Sequence, residues 1–206
     1  MRTLKEIVEK EFIKTDKHRG GLFKNGHTYM EVYDELFSDF RNEPINILEI
    51  GVLDGASIEL WWHAFPNAKI YGFDKFTRGK KDRVMIDDRI SLYTGDSVND
   101  WDKSIKQRNE FFKDIGDSLF HIIIDDGDHQ PKSQLKTFNN FKHILHPDGK
   151  YVIEDIWDWD RHNKKCKCEE TGLQFLKNNI SKLNIYDMND GKTMFNDNIL
   201  GVYNGS

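Results

Sequence analysis

The chain has 206 residues, which is the usual length of one domain rather than two. Its formal net charge is −5, so the surface has no excess of cations to neutralise a phosphate backbone, and we expect no nucleic-acid partner. The 14 Phe, 7 Tyr and 5 Trp residues are more than a disordered chain carries, which predicts a compact globular fold.

The sequence carries no signal for a membrane or for an oxidising compartment. No apolar run approaches the roughly 18 residues that a membrane span needs, and the first twelve residues mix charged and apolar side chains. The two cysteines, Cys166 and Cys168, are too close together for a structural disulfide framework. We therefore expect no membrane association and a cytoplasmic location.

Two amphipathic helices are predicted near the start of the chain, over Thr3–Ile13 and Tyr29–Phe40, because their apolar residues recur at helical spacing. The polar connector between them, residues 15–27 with the sequence TDKHRGGLFKNGH, is broken by glycines and predicts a loop. We expect residues 1–43 to form a helical cap on a core of residues 44–206, the two parts making one domain.

From residue 45 onward, short apolar runs alternate with longer amphipathic segments, which indicates repeated βαβ units. Predicted strands cover residues 45–50, 68–73, 90–94, 119–124 and 150–154, predicted helices cover 56–64, 101–115, 131–144 and 173–180, and two closing strands, expected to be antiparallel, cover 183–188 and 199–204. Continuous hydrophobicity suits parallel strands covered on both faces. The predicted fold is α/β: a Rossmann-like, doubly wound, mostly parallel seven-stranded sheet with helices on both faces.

Acidic side chains stand at the end of every parallel run. They are Glu49, Asp74, Asp96, Asp125, Asp126, Glu154 and Asp155. Ligands of open parallel sheets bind beyond the carboxyl ends of the strands. A single acid in such a place often only caps a helix or forms a turn, but acids at all five ends favour a binding function.

The loop after the first strand, LEIGVLDGAS, predicts the cofactor. Gly51 and Gly55 allow a ligand to approach a helix N-terminus, where we also expect Ser57 to contact it. A dinucleotide fingerprint is incomplete here, because Leu53 and Asp54 would oppose a diphosphate with bulk and negative charge, so NAD is disfavoured.

A ligand with a cationic centre and no phosphate suits this loop better. Glu49 would attract the cation, and Asp74, 23 residues after Gly51, is placed to accept hydrogen bonds from ribose hydroxyls. S-adenosylmethionine has these features.

A second site is predicted at the fourth and fifth strands. Neighbouring strands lie about 4.8 Å apart, so Asp126 and the pair Glu154 and Asp155 are expected to converge. Three carboxylates do not share a dry site without a cation, and their hard oxygens select Mg²⁺, Ca²⁺ or Mn²⁺ over Zn²⁺. His129 would stand beside the metal, and Asp125 is expected to face the cofactor or to support the site without binding the metal.

The loop residues resemble those of the class I S-adenosylmethionine-dependent methyltransferases, which carry an acidic-x-Gly loop, a second-strand acid and a third-strand Gly-Asp. The matching residues are Glu49, Gly51 and Gly55, then Asp74, then Gly95 and Asp96. The resemblance implies that Glu49 and Gly51 line the amino-acid end of the cofactor, Asp74 its ribose, and Asp96 with Ser97 its adenine edge.

The segments HIIIDDGDHQPKSQLKTF and HPDGKYVIEDI, with TDKHRG and HTYMEVY upstream, resemble the metal-dependent sugar O-methyltransferases that act on macrolide antibiotics. The resemblance implies that Asp126, Glu154 and Asp155 hold Mg²⁺ and that His129 is the general base. It also implies that the segment with His27 and Tyr29 folds over the cofactor. Relatives carry Ser where this chain has Asp128, so we expect Asp128 to bias His129 toward its charged form.

The predicted function is an S-adenosylmethionine-dependent, divalent-metal-assisted O-methyltransferase for a hydroxyl of a sugar or a glycosylated small molecule. The residues Trp157, Trp159, Arg161 and His162 directly after the acidic pair suit a carbohydrate. Two alternatives stay open: a catalytically inactive cofactor- or metal-binding protein of the same fold, and a metal-dependent hydrolase. Pairing into a homo-oligomer is also open.

Overall fold

The computed structural model describes residues 1–20, 23–77, 81–158, 170–190 and 197–205. In chain order its helices and strands are α1 (Leu4–Glu11), β1 (His18–Gly20), β2 (Phe23–Thr28), α2 (Met30–Leu36), β3 (Asn46–Ile50), α3 (Ala56–Ala64), β4 (Lys69–Asp74), β5 (Ile90–Thr94), α4 (Asp102–Ile115), β6 (Phe120–Asp125), α5 (Pro131–Phe141), β7 (Leu145–Ile153), α6 (Gly172–Asn179), β8 (Asn184–Asp187) and β9 (Ile199–Asn204).

A seven-stranded sheet forms the centre of the molecule, in the order β5-β4-β3-β6-β7-β9-β8. Strands β3 to β7 run parallel to one another, whereas β9 pairs antiparallel with both β7 and β8. The predicted mostly parallel, seven-stranded α/β fold and its antiparallel closing strands are confirmed.

Side chains of the central strands alternate between two cores, one on each face of the sheet. On β3, Ile47 packs in a core that includes Tyr33 of α2 and Trp61 of α3. The next residue, Leu48, packs in a second core with Phe111 of α4. Both faces are therefore covered by helices, which explains why the strands are apolar without alternation.

The register of the parallel strands brings their carboxyl ends level. Ile50 of β3 lies opposite Asp125 of β6, which in turn lies opposite Ile153 of β7. The pairing continues one residue further, because Asp126 N donates to Ile50 O at 2.8 Å and Glu154 N donates to Asp125 O at 3.0 Å. The residues that directly follow β3, β6 and β7 therefore lie side by side at the carboxyl edge of the sheet.

The connector of residues 15–27 is not simply a loop, so that prediction is wrong. Strands β1 and β2 pair antiparallel, with His18 opposite Thr28. The strands lie next to glycines and lack alternating apolar residues, so local pattern could not separate this ribbon from a loop.

Several boundaries also differ from the prediction; helix α2, for example, ends at Leu36 rather than at Phe40. Helix α5 ends at Phe141 and is followed by a 3₁₀ turn, and β7 begins at Leu145 rather than at residue 150. The turn-forming residues Pro147 and Gly149 lie inside the strand, next to a register shift. None of the helices in the described parts of the chain has the length and apolar character that crossing a bilayer requires.

Gly51, directly after β3, is required by both its backbone angle and its surroundings. Its φ is +92°, and a Cβ at this position would overlap the carbonyl oxygen of Asp126. We expect Gly51→Ala to lower the free energy of unfolding by about 3 kcal/mol or more, because backbone strain and overpacking add. Urea unfolding measures this loss.

Gly116 is the matched control. Its φ is +56°, but no atom lies within 4 Å of the position that its Cβ would take. We expect Gly116→Ala to show only the cost of a backbone conformation that residues other than glycine rarely adopt, about 1–3 kcal/mol. Equal losses in the two variants would contradict a role for the close approach of Gly51 to Asp126.

Candidate active site

Four acidic side chains meet at the carboxyl edge of the sheet: the three that the sequence predicts to converge, Asp126, Glu154 and Asp155, and also Glu49. Glu49 comes from β3, Asp126 directly follows β6, and Glu154 and Asp155 directly follow β7. Glu49, Glu154 and Asp155 are buried, with exposures of 0%, 2% and 6%, while Asp126 is partly exposed. Burial of this many carboxylates requires compensating positive charge or hydrogen-bond donors.

Lys17, just before β1, supplies part of that charge. Its side chain is buried, and its Nζ lies 2.6 Å from Asp126 Oδ2, 2.8 Å from Glu154 Oε2 and 3.6 Å from Glu49 Oε1. The sequence analysis predicts that a metal ion neutralises these acids. The structure shows that Lys17 also places a positive charge among them.

The charges of this cluster shift one another's pKa values. Burial alone would lower the pKa of the Lys17 ammonium, but Asp126, Glu154 and Glu49 together raise it well above its usual value. Burial would raise the pKa of Asp126, yet Lys17 and His129 hold it below its usual value. The pKa of Glu154 is raised, because burial and the neighbouring carboxylates outweigh the attraction of Lys17. A single ammonium therefore does not fully stabilise both carboxylates.

His129 lies between two of the acids. Its Nδ1 is 3.0 Å from Asp155 Oδ2, and its Nε2 is 3.4 Å from Asp126 Oδ1. Burial opposes a charge on the ring, but these two carboxylates raise the pKa of His129 well above its usual value. The imidazole is therefore protonated in this arrangement.

Asp126 and Asp155, and not Asp128 as expected, are the carboxylates that pair with His129. The Asp128 carboxylate is exposed, and it accepts hydrogen bonds from Gln130 N at 3.3 Å and Ser133 Oγ at 2.9 Å. These contacts hold it at the start of α5, and the charge on His129 is stabilised by Asp126 and Asp155 instead.

Hydroxyl donors from the N-terminal part of the chain complete the cluster. Tyr33 Oη donates a short hydrogen bond to Glu154 Oε1, and Tyr29 Oη donates to Asp155 Oδ1 at 2.6 Å. Burial and the nearby carboxylates raise the pKa of both tyrosines, so they stay protonated and act as donors. His27 stacks on Tyr29 with ring centroids 4.7 Å apart, and its Nε2 is 3.4 Å from Asp155 Oδ1.

Asp155 adopts a left-handed backbone conformation with φ of +53°, which is uncommon for a residue other than glycine. The surrounding hydrogen bonds hold it there: Asp155 N donates to Tyr29 Oη at 3.3 Å, and Gln134 Nε2 donates to Glu154 O at 2.8 Å. Such strain is concentrated at functional sites, where the fold fixes the direction of a side chain.

Glu49 joins the acidic cluster to the glycine turn. Neither of its carboxylate oxygens accepts a hydrogen bond of ordinary geometry from the described residues. Burial raises the pKa of Glu49 to about 7, against the opposing effects of Lys17 and Ser57. The buried oxygens therefore have unused capacity to bind a cationic ligand group beside Gly51.

Asp74 supports the turn from the neighbouring strand. Asp74 Oδ2 accepts hydrogen bonds from Val52 N at 2.6 Å and from Leu53 N at 3.1 Å, and Oδ1 accepts one from Phe76 N. The carboxylate thus shapes the loop after β3. Its contact with a ribose stays a prediction.

Asp96 and Ser97, after β5, are held by local contacts. Asp96 accepts hydrogen bonds from Val98 N, Asn99 N and Asn99 Nδ2 at 2.8, 3.0 and 2.6 Å. These bonds outweigh burial and lower the pKa of Asp96 to about 2. Ser97 Oγ accepts a hydrogen bond from Thr137 Oγ1 of α5 at 3.1 Å. Their contact with an adenine edge also stays a prediction.

Asp125 stands apart from the Lys17 cluster. It is buried and lies on the same face of the sheet as Ile123, which belongs to the second core. Its Oδ1 accepts a hydrogen bond from Gly127 N at 3.3 Å. Burial raises the pKa of Asp125 to about 8. Trp157 lies on the other side of the site, its ring centroid 6.5 Å from that of His129. The candidates Trp159, Arg161, His162, Cys166 and Cys168 lie outside the described residues.

The donor set suits a hard divalent cation. Asp126, His129 and Asp155 each offer a ligand atom, and these atoms lie within 4.8 Å of one another. Carboxylate oxygens are the ligands that Mg²⁺ prefers. Lys17 and His129 place two positive charges among Asp126, Glu154 and Asp155, which is the charge of one such ion.

The chain was compared in sequence with protein families and with curated proteins. No protein-family model matches the chain. Over 171 residues it is 32% identical to mycinamicin VI 2''-O-methyltransferase of Micromonospora griseorubida, a match that covers 76% of the chain and 40% of that enzyme. Over 138 residues it is 30% identical to demethylmacrocin O-methyltransferase of Streptomyces fradiae, covering 64% of the chain and 32% of that enzyme. The chain spans less than half the length of these curated relatives.

Solved structures agree. The MycE methyltransferase of mycinamycin biosynthesis, solved in complex with Mg, S-adenosylhomocysteine (SAH) and mycinamycin VI, superposes with a TM-score of 0.71 at 28% identity. The superposition covers 99% of this chain and 55% of MycE. The chain therefore has the Rossmann-like fold of the class I methyltransferases, and its sequence is similar to part of the mycinamicin and demethylmacrocin O-methyltransferases.

Proposed function

We propose that the chain catalyses S-adenosylmethionine-dependent, divalent-metal-assisted methyl transfer to a hydroxyl of a sugar or a glycosylated small molecule. The observation that carries this proposal is the meeting of Asp126, Glu154, Asp155 and His129 at the edge of the sheet next to the Gly51 turn. The relatives are named as O-methyltransferases, and MycE was solved with Mg, SAH and a mycinamycin, which supports the same assignment here.

Asp126, Glu154 and Asp155 would hold the Mg²⁺ or another hard divalent cation. Such an ion supplies Lewis-acid stabilisation of the alkoxide that forms when a sugar hydroxyl loses its proton. Tyr29 and Tyr33 orient two of these carboxylates by donating to one oxygen of each. The second oxygen of each is directed toward the cluster.

His129 would be the general base. It must be neutral to accept a proton, and in the arrangement described it is charged because Asp126 and Asp155 face it. If Asp126 and Asp155 held a cation, less of their negative charge would act on His129, so its pKa would be closer to its usual value and the ring could accept a proton near neutral pH. After it accepts the hydroxyl proton, Asp155 and Asp126 stabilise the imidazolium.

The cofactor would lie across the ends of β3, β4 and β5. Glu49 would bind the ammonium of the methionine moiety, since its buried oxygens accept no hydrogen bond of ordinary geometry from the described residues. Gly51, Gly55 and Ser57 would line the same turn, Asp74 the ribose, Asp96 and Ser97 the adenine edge, and Tyr29 and Asp125 the flanks of the pocket.

A saccharide is the acceptor that the surroundings of His129 favour. The Trp157 indole is only partly buried beside His129, and an aromatic face suits the C–H face of a sugar ring. The net charge of −5 gives no support to a nucleic-acid acceptor. An isologous homodimer would be in keeping with the frequency of two-fold assemblies among soluble proteins.

Methyl transfer can be measured with an isotopically labelled S-adenosylmethionine and a panel of sugar nucleotides and glycosylated macrolides. We expect label to enter a sugar hydroxyl only when Mg²⁺ is present. We expect His129→Ala to lower turnover by about 10²–10⁴-fold, the usual contribution of a general base. Affinity for SAH should change less than threefold, because His129 is not assigned to the cofactor.

The neighbouring acids Asp126 and Asp128 form a matched pair for the same assay. Asp126→Asn removes a proposed metal ligand and should lower turnover at least a hundredfold. Asp128→Asn changes an exposed carboxylate that lies outside the cluster and should leave turnover unchanged. Equal effects of the two variants on turnover would contradict the assignment of Asp126 as a metal ligand. Hydrolysis of a substrate without any sulfonium donor would indicate a hydrolase instead.

The affinity for SAH should depend on pH through Glu49. The pKa of Glu49 is raised to about 7, so its carboxylate is mostly protonated at pH 6 and mostly ionised at pH 8. A cationic ammonium binds the ionised form, so in EDTA we expect the Kd for SAH to fall about tenfold between pH 6 and pH 8 and to level off above. Isothermal titration calorimetry measures this.

Glu49→Gln should bind SAH more weakly and lose this pH dependence, because an amide does not ionise. Glu43→Gln, at an exposed carboxylate, should bind as the unchanged protein does at each pH. A pH dependence that persists in Glu49→Gln would show that another group controls binding.

A further inference from the structure

Among the described residues, only the Lys17 side chain forms ion pairs with three acids of the site. These acids, Glu49, Asp126 and Glu154, come from the ends of three adjacent strands. The ammonium group lies in the interior of the site, since the side chain is 1% exposed. A lysine that only anchored the N-terminal segment would not need to reach this point.

The oxygens that Lys17 contacts belong to two of the proposed metal ligands. Its Nζ is 2.6 Å from Asp126 Oδ2 and 2.8 Å from Glu154 Oε2. The other oxygens of these two groups face His129 and Tyr33. A Mg²⁺ ion binds its oxygen ligands at about 2.1 Å, closer than an ammonium does. A Mg²⁺ ion bound to these two oxygens would therefore lie within about 5 Å of the Lys17 ammonium, and the two cations would repel each other.

We propose that Lys17 is a built-in competitor of the divalent cation: its ammonium group neutralises Asp126 and Glu154 in the metal-free protein and gives up these contacts when the cation binds. The inference rests on the proposed function, because it takes Asp126 and Glu154 as metal ligands. Lys17 is thereby a positioning residue. It preserves the ligand cluster without metal and lowers the affinity for the metal.

Two opposite effects follow from the removal of this positive charge. The metal-free protein loses stability, because two carboxylates of which one is fully buried are left without their ammonium partner. The affinity for Mg²⁺ rises, because repulsion between the ammonium and the cation disappears and both oxygens become available. A purely structural lysine would show only the first effect, since damage to the site would weaken metal binding.

The test compares the unchanged chain with Lys17→Met, which keeps most of the side-chain length and removes the charge. We expect its Tm in EDTA to fall by about 10 °C, the shift that corresponds to breaking a buried ion pair in a chain of this size. We expect its Kd for Mg²⁺, measured by calorimetry with MgCl₂, to fall at least tenfold. Saturating Mg²⁺ should then recover most of the lost Tm.

Two further variants serve as controls. Lys106→Met removes a lysine that is 77% exposed on α4, and it should change neither Tm nor the Kd for Mg²⁺ measurably. Lys17→Arg keeps the charge, so its Kd should stay within about threefold of that of the unchanged chain. If Lys17→Met does not fold, the double variant Lys17→Met, Glu49→Gln, which also removes a buried acid, is compared with Glu49→Gln alone.

The outcomes separate the inference from the proposed function. Tighter Mg²⁺ binding by Lys17→Met than by the unchanged chain supports the inference. Absence of Mg²⁺ binding by the unchanged chain would count against the proposed metal-assisted reaction, but not against the inference if Lys17→Met binds Mg²⁺. Equal or weaker Mg²⁺ binding in that variant overturns the inference and leaves the proposed function standing where the unchanged chain binds Mg²⁺. If neither chain binds Mg²⁺, both are overturned.

Discussion

Repulsion between acidic side chains at the ends of neighbouring strands is the constraint on which the site depends. The level register of β3, β6 and β7 forces Glu49, Asp126 and Glu154 together, whatever the surroundings are. Buried like charges are tolerated only when cations or hydrogen-bond donors face them. The rest of the site is an arrangement of such partners.

Most of these partners come from the part of the chain that precedes the Rossmann-like core. The ammonium of Lys17, the ring of His27 and the hydroxyls of Tyr29 and Tyr33 all reach the acids from residues 17–33. Among the described residues, the core itself contributes His129. The core supplies the acids and the N-terminal segment supplies most of the groups that make their burial possible, so the two parts depend on each other energetically.

The sequence predicts the fold well because its signals are local and repeated. Apolar runs of strand length, separated by helix-length segments, define βαβ units, and residues 45–50, 90–94 and 199–204 need almost no correction. The meeting of Asp126 with Glu154 and Asp155 also follows from local information, since acids after neighbouring parallel strands must lie at one edge.

The rest of the site depends on contacts between distant parts of the chain. Lys17 is 109 residues from Asp126 and 137 residues from Glu154, and it lies in a segment whose glycines hide the β1–β2 ribbon. The expectation for Asp128 fails for a related reason: closeness in sequence to His129 does not determine where the Asp128 side chain points. Asp128 accepts a hydrogen bond from Ser133 of α5, and Asp155, after the neighbouring strand, contacts the His129 ring instead.

The pKa values of the acids show that one ammonium does not balance their burial and mutual repulsion. Burial raises the pKa of Asp125 to about 8, although His129 opposes this shift, and it raises the pKa of Glu49, 3.6 Å from Lys17, to about 7. Asp126, at 2.6 Å, is lowered, while Glu154 is raised although Lys17 is only 2.8 Å away. Two carboxylates at contact distance from one ammonium leave the site short of positive charge, which is why His129 is protonated there and why a cation of charge two is the ligand that the cluster would favour.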